Sequence, residues 1–355
     1  MTPTWQPDVL GGYWQCTLAL GQDPDGEGEV VATLIRRGQS RHARHAALVV
    51  HGFTDYFFNT ELAESLAGHG VCVYAIDLHK CGRSWRDGQT QHFTTDLGRY
   101  DTELDWALAT IAEEAGDPHI LVYGHSAGGL IVPLWLDRRR RGVPKPGRVS
   151  GLVLNSPWFD LQGPAILRSA GTAAILALAQ FRSKRVIRLP HEPTYGESLH
   201  RDFGGDFDYN LDWKPTGGFP VTFGWINAIR RGHAKLHRGL DVGVPNLILR
   251  SDHSVPPSSD PATAQRGDAV LDVTQIARWA GCVGNRTTIV PVADAKHDVF
   301  LSLPGPREAA YRELAAWLDW YTASVEHPAD AASCSSRERS SALCSSRERS
   351  SGRRS

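Results

Sequence analysis

Ile120-Leu121-Val122-Tyr123-Gly124-His125-Ser126-Ala127-Gly128-Gly129 joins a short apolar run to a segment, Ala127 to Leu136, that can open a helix directly after it. The run Ile120 to Tyr123 is too short for a helix and apolar on both faces, as a strand buried in a parallel sheet requires. Gly124 to Gly128 fits the pattern G-x-S-x-G, which recurs by chance, so the strand before it and the helix after it carry the reading. On so tight a turn, side chains at Gly124 and Gly128 would collide with neighbouring backbone. Ser126 is therefore a candidate nucleophile. The start of the helix also sets the Ala127 N–H where negative charge would develop on a substrate oxygen.

Working outward, Ala46 to Val50 and Val71 to Ile76 are two further runs of the same doubly apolar kind. Leu152 to Leu154, Leu247 to Leu249 and Thr288 to Val292 continue the series. Helical patterns lie between them. The clearest puts Tyr100, Leu104, Ala107, Leu108 and Ile111 on one face, after the candidate caps Thr95 and Asp96. Another runs from about Arg307 to Ser324 after the last strand. At the other end, Tyr13 to Leu20 and Glu29 to Arg36, joined through the turn residues Gly21 to Gly26, read as a hairpin of antiparallel edge strands. Strand and helix alternate, so the expected fold is α/β, a mostly parallel doubly wound sheet with helices on both faces.

Residues 161–240 break this rhythm. They hold the Ala/Leu/Ile run Ala170 to Phe181, the basic cluster Arg182, Lys184, Arg185 and Arg188, and an aromatic, Gly-rich segment through Trp225. We read them as an inserted cap, with residues 1–160 and 241–328 as the core. In residues 329–355, Cys334-Ser335-Ser336-Arg337-Glu338-Arg339-Ser340-Ser341 recurs ten residues later from Cys344. Such a tail has almost nothing to bury and is expected to be disordered.

The 355 residues and 41% hydrophobic content are enough for a large packed core. The net charge is −1, but residues 331–355 carry six Arg against two Glu, so without that +4 the body stands near −5. A mildly acidic body does not favour nucleic acid. The six cysteines form no CxxC pair, which suggests neither a zinc site nor a redox motif, and no metal or cofactor is expected. Met1 to Leu20 lacks the pattern of a signal peptide, and no apolar run approaches the roughly 20 residues that span a bilayer. The expected setting is cytoplasmic, with reduced thiols.

Four features together resemble the α/β-hydrolase superfamily, and within it the monoacylglycerol lipase, lysophospholipase and serine aminopeptidase-like group. They are His51-Gly52-Phe53 after a buried strand, the loop Asp77-Leu78-His79-Lys80-Cys81-Gly82-Arg83-Ser84, Gly124 to Gly129, and Lys296-His297-Asp298-Val299-Phe300 near the end. The resemblance covers about residues 28–325, and departs from the family in having His79-Lys80 where Arg-Gly is usual. It implies a triad in the chain order Ser, acid, His, with the base on the loop after the last strand. His297 stands there. Most of the fifteen histidines, including His191, His200, His233 and His237, read instead as surface-loop residues. The resemblance also gives the second oxyanion donor to the residue after His-Gly, the backbone N–H of Phe53, paired with that of Ala127. His51 itself reads as structural.

For the acid, the family pattern puts an Asp just after the penultimate strand. Here Leu247 to Leu249 runs into Arg250-Ser251-Asp252-His253-Ser254, and the aligned position is Ser254. A Pro/Ser-rich loop follows, then Asp268-Ala269-Val270-Leu271-Asp272, which resembles the family's Asp and its apolar followers displaced by an insertion. Asp268 ranks first, Asp252 is the alternative acid, and Asp272 reads as the cap of a helix through Ile276 and Trp279.

The implied chemistry is acyl transfer to Ser126 from a small-molecule or lipid ester, with amide or peptide cleavage as the near alternative and a non-catalytic ligand-binding member of the fold as a third reading. A serine at this turn argues against dehalogenase and epoxide hydrolase relatives, which need a carboxylate there. Ala170 to Phe181, with the basic residues after it, reads as a helix over the pocket or a transient membrane contact. Trp213, Phe219, Phe223 and Trp225 read as packing, with an acyl pocket as the alternative.

Overall fold

The strands form where the chain is apolar on both faces, and every residue of the most central one is buried. In a computed structural model, residues 3–38, 42–161, 181–188, 192–284 and 286–326 are described. Their strands are β1 (Gln6–Pro7), β2 (Tyr13–Gln22), β3 (Glu29–Arg37), β4 (His45–Val50), β5 (Val71–Asp77), β6 (His119–His125), β7 (Val149–Asn155), β8 (Asn246–Ser251) and β9 (Thr287–Val292). They make one sheet among the described residues, in the order β1-β2-β3-β5-β4-β6-β7-β8-β9. β1, β2 and β3 run antiparallel at one edge and β4 to β9 are parallel. The expected edge hairpin is present, with β2 running on through a bulge between Ala19 and Gly21.

The longer helices are α1 (Thr60–Gly68), α2 (Asp101–Ala115) and α3 (Gly128–Arg141), followed by α4 (Thr194–Glu197), α5 (Phe223–Leu236), α6 (Pro261–Ala264), α7 (Val273–Trp279) and α8 (Pro304–Glu326). Asp96 caps a 3-10 turn, Leu97–Tyr100, that leads into α2. The Thr95 hydroxyl instead donates to Asp25 Oδ1 at 2.9 Å. α2 closes on Gly116 at φ 77°, a left-handed position that suits glycine. α3 ends in Arg138 to Arg141, which complement the helix dipole, and Arg138 reaches Asp101 of α2 through two bonds of 2.7 and 2.6 Å. Leu48, Val50, Val122, Leu130, Trp135 and Ile248 belong to one buried cluster that joins sheet and helices.

The loop after β5 shows how His79-Lys80 is accommodated. Lys80 adopts φ 62°, the left-handed conformation a glycine would take without strain. Its fully buried ammonium donates to Asp23 and Glu27 at 2.7 Å each. Burial works against ionising these two carboxyls, but Lys80, together with main-chain donors on Asp23 and with Thr90 and Lys184 on Glu27, outweighs it and both titrate below their ordinary range.

The described residues between β7 and β8 add no strand to the sheet. Of the proposed apolar cap run, only Phe181 lies among the described residues, and the Ser/Arg repeat lies wholly outside them. The chain divides into residues 1–312 and a second unit, 313–355, in which Trp317 stacks on Tyr321 with planes 4° apart. Cys16, Cys81 and Cys282 are free thiols. No helix among the described residues is long and apolar enough to cross a membrane.

Candidate active site

At the end of β6, Ser126 takes φ 51°, a conformation costly for a residue with a Cβ, on the order of 1–3 kcal/mol. Two main-chain bonds hold it there. Ser126 N–H donates to Asn155 O at 3.0 Å, and Trp158 N–H donates to Ser126 O at 2.9 Å. The glycines are required by contact. A Cβ on Gly124 would lie 2.8 Å from Gly128 O, and one on Gly128 would lie 2.4 Å from His51 O. One on Gly52 would come within 3.0 Å of Ser126 Cβ, so the loop after β4 lies directly against the serine.

That loop carries Phe53. Among the described residues, neither the Phe53 N–H nor the Ala127 N–H donates to a protein acceptor, so both expected oxyanion donors are free. His51 shapes the loop as expected. Its Nε2 accepts from Leu78 N–H at 3.1 Å, which leaves Nδ1–H to donate to Gly52 O at 2.8 Å.

His297 and Asp268 meet. Nδ1–H of the imidazole donates to Asp268 Oδ2 at 3.0 Å, and Asp268 is 0% exposed. The other oxygen, Oδ1, accepts from Val270 N–H at 2.8 Å and Leu271 N–H at 2.7 Å, so the carboxylate cannot swing away. The displacement by an insertion has a simple geometry. Ser254 and Asp268 form a parallel bridge, with Asp268 N–H donating to His253 O at 3.0 Å and Val255 N–H to Asp268 O at 2.9 Å. Residues 255–267 thus leave and return to one point, and Asp268 arrives beside the position where the family pattern has its acid.

Asp252 does not reach His297. Its half-exposed carboxylate accepts from His253 Nδ1 at 2.7 Å and Asp294 N–H at 3.1 Å. Asp272 caps α7 through Thr274 N–H at 2.9 Å, as expected.

His297 Nε2 is buried without a hydrogen-bond partner among the described residues. The ring lies 5.0 Å from His125 and 5.6 Å from the edge-on Tyr195. Both neighbours of His297 are fixed. Asp298 Oδ1 accepts from Asn155 Nδ2 at 2.7 Å, and Asp298 N–H donates to Tyr195 OH at 3.2 Å. Lys296 is buried and donates to Ser198 O at 2.7 Å, and burial pushes its ammonium down to about 8. Burial likewise lowers His125, although Asp298 opposes the shift.

Asn155 and Tyr195 were not singled out from sequence, and Asp298 only as a member of the Lys296 to Phe300 motif. Asn155 adjoins the strand run Leu152 to Leu154, while Tyr195 sits on a four-residue helix with no periodic signal. His200 and His233, read as surface residues, are buried instead, because their Nε2 atoms bond the main-chain oxygens of Tyr209 and Trp158 at 3.2 and 2.8 Å. His191 lies outside the described residues.

Phe53, Trp225 and Trp158 stack in series, with centroids 3.9 and 5.5 Å apart, and Phe219 faces His92 at 5.3 Å. Trp213 instead packs edge-on against Tyr56 at 5.1 Å, and Phe223 opens α5. His51, Cys81 and His92 each bring one potential ligand atom within 4.8 Å of the others, although no metal motif is visible in sequence. Both nitrogens of His51 are already hydrogen-bonded there.

A sequence model of the family described as serine aminopeptidase, S33, matches residues 41–260, more than half the chain. The match ends inside the 255–267 excursion. No curated protein matches this sequence. Among solved structures, a soluble variant of monoglyceride lipase from Saccharomyces cerevisiae, in complex with a substrate analog, is 16% identical with a TM-score of 0.57, over 90% of this chain and 96% of that one. A thermostable carboxyl esterase from Bacillus coagulans is 14% identical with a TM-score of 0.56, over 86% and 98%. A putative hydrolase from Agrobacterium vitis is 16% identical with a TM-score of 0.55, over 85% and 97%. At such identities these likenesses speak for the fold alone. With the family match over residues 41–260 and the sheet built around a serine at a strand-to-helix turn, the chain belongs to the serine aminopeptidase (S33) family of α/β hydrolases.

Proposed function

We propose that the protein is a serine hydrolase of carboxylic esters, with Ser126 as nucleophile, His297 as general base and acid, and Asp268 as the carboxylate that orients it. The observation that carries this reading is the 3.0 Å bond from His297 Nδ1 to the fully buried Asp268, set beside a serine at φ 51°. In the first step Ser126 Oγ attacks the ester carbonyl carbon while its proton passes to His297 Nε2. The Phe53 and Ala127 N–H groups receive the oxyanion. His297 then protonates the departing alcohol as the ester C–O bond breaks, leaving an acyl-enzyme. Water, deprotonated by His297, attacks that acyl carbon, and Ser126 leaves with the proton.

Stacked Phe53, Trp225 and Trp158 favour an apolar, lipid-like acyl group. The monoglyceride lipase and carboxyl esterase among similar structures agree with an ester substrate. The domain reading is retained with the function: core 1–160 and 241–328, cap 161–240, tail 329–355. A cytoplasmic setting and transient membrane-surface contact through the cap belong to the same proposal. The family description supports a second reading, cleavage of aminoacyl amides by the same groups.

A fluorophosphonate probe should label intact protein at Ser126 and not the Ser126→Ala variant. Turnover of p-nitrophenyl esters from acetate to palmitate, compared with aminoacyl p-nitroanilides, separates ester from amide preference. Intact protein that neither labels nor hydrolyses any of these substrates rules out the enzyme reading.

A further inference from the structure

The three residues that follow Phe53 are each held by the segment between β7 and β8. Thr54 Oγ1 accepts from Phe219 N–H at 2.9 Å, Asp55 Oδ1 accepts from Lys214 Nζ at 2.7 Å, and Tyr56 OH accepts from Asn210 N–H at 2.7 Å. Thr54 itself sits at φ 55°, so the chain turns sharply one residue after the expected oxyanion donor. A non-glycine residue stays in that region only when its surroundings fix it.

The middle contact differs from the other two. Lys214 and Asp55 are each only 7% exposed, and the ammonium lies over the rings of Phe58 and Tyr209 at 5.5 and 5.8 Å. Burial tends to raise the Asp55 pKa, but Lys214, His125 and His51 together outweigh it, so the carboxyl stays below its ordinary range. A buried ion pair is a poor way to gain stability, since apolar residues of the same volume often serve as well or better. It is a good way to fix a position, because an ammonium among aromatic rings is satisfied only where its one carboxylate stands. Here that point is two residues from the Phe53 N–H, in the loop that lies against Ser126 Cβ.

We propose that Lys214 is a positioning residue for the acylation step: its ion pair with Asp55 holds the Phe53 N–H in the orientation that receives the oxyanion. This rests on the proposed serine hydrolase reading. It makes the segment around Lys214 part of the machinery that sets turnover, beyond any role in covering the site. Losing an oxyanion donor outright costs about 10²–10³-fold in kcat, and tilting one should cost less, on the order of 10–100-fold.

The test compares Lys214→Met, Lys214→Arg and the apolar pair Asp55→Leu/Lys214→Met with intact protein. Each is assayed for p-nitrophenyl butyrate turnover and for inhibition by a trifluoromethyl ketone that forms a tetrahedral adduct at the serine. Lys214→Met should lose about 10–100-fold in kcat, keep KM within about twofold, and bind the ketone more weakly by the same factor as its loss in kcat/KM. Lys214→Arg should recover part of both losses. The double variant leaves no unpaired charge, so it remains informative if Lys214→Met does not fold, and it should show the same loss. A double variant with full kcat, or a loss of kcat without a parallel loss of ketone affinity, overturns the proposal. Failure of intact protein to label at Ser126 overturns the parent reading as well, whereas normal labelling with undiminished kcat in Lys214→Met overturns this one alone.

Discussion

Replacing Asp268 by Asn changes one oxygen to an NH2 group and almost nothing in volume, so its effect isolates the protonation of His297. The wild-type carboxylate accepts on both sides, from Val270 and Leu271 N–H at Oδ1 and from His297 Nδ1 at Oδ2. An asparagine keeps the two main-chain bonds only by leaving its amide oxygen where Oδ1 was. Its NH2 then faces His297. Two donors cannot share that contact, so Nδ1 must become the acceptor and the ring proton moves to Nε2. The imidazole is left with a proton where it needs a lone pair, and it also loses the anion that stabilises the imidazolium. For an acid–His–Ser arrangement this tautomer error costs about 10⁴-fold in kcat, or ~5.5 kcal/mol of barrier. Stability should change much less, by about 1 kcal/mol, because the main-chain bonds survive. The assay is p-nitrophenyl butyrate turnover for Asp268→Asn and Asp252→Asn, with urea unfolding as the control. Among the described residues the Asp252 carboxylate bonds His253 and Asp294 and not His297, so its variant should stay near wild type. If folded Asp268→Asn keeps more than about a tenth of wild-type kcat, the tautomer argument is wrong. Equal retention in both variants sinks both assignments.

Two further outcomes follow from contacts described above. Gly128→Ala would place a Cβ 2.4 Å from His51 O and 2.8 Å from Val50 O, both main-chain atoms that cannot turn aside. It should lower unfolding free energy by about 1–3 kcal/mol and slow fluorophosphonate labelling, because the loop carrying Phe53 must shift, and an unchanged labelling rate counts against that crowding. Lys296 is pushed down from 10.5 to about 8 by burial, so between those values the unfolded chain holds a proton that the folded chain has released. Stability then rises with pH across that window, and wild type should gain on Lys296→Met by ~3 kcal/mol between its lower and upper ends, as read from urea unfolding. A difference that stays flat or falls over this window refutes the buried-ammonium account.

Much of this was visible in the sequence, for physical reasons that differ by element. β4, β6 and β8 were readable because a strand covered on both faces must be apolar throughout, a pattern few loops imitate. β1 was not, since two residues at an edge leave no periodicity. Ser126 stood out because its turn needs glycine at positions where the backbone comes close. His297 was expected from its position after the last strand together with the resemblance, and Asp268 only from the resemblance, across an interruption. What could not be read are pairings between distant segments. Lys214 and Asp55 are separated by 159 positions, and nothing local to either marks the other. The burial of His200 and His233 was hidden for a related reason: a histidine goes inside where a main-chain carbonyl waits for it, and carbonyls leave no trace in residue identity.

The closed base of the 255–267 excursion has a consequence for how the chain can change. Because Ser254 and Asp268 are joined at the neck, the place of Asp268 does not depend on how long the chain between them is. The cost of closing a loop grows only with the logarithm of its length, roughly 0.6 kcal/mol per doubling. Added length costs little at the exposed residues 256–258, so this is where the chain can carry a foreign segment, such as an epitope or a fluorescent domain, while Asp268 stays beside His297. Chain order and spatial order part company at that neck, and a mutation that opens it would move the carboxylate without touching Ser126 or His297.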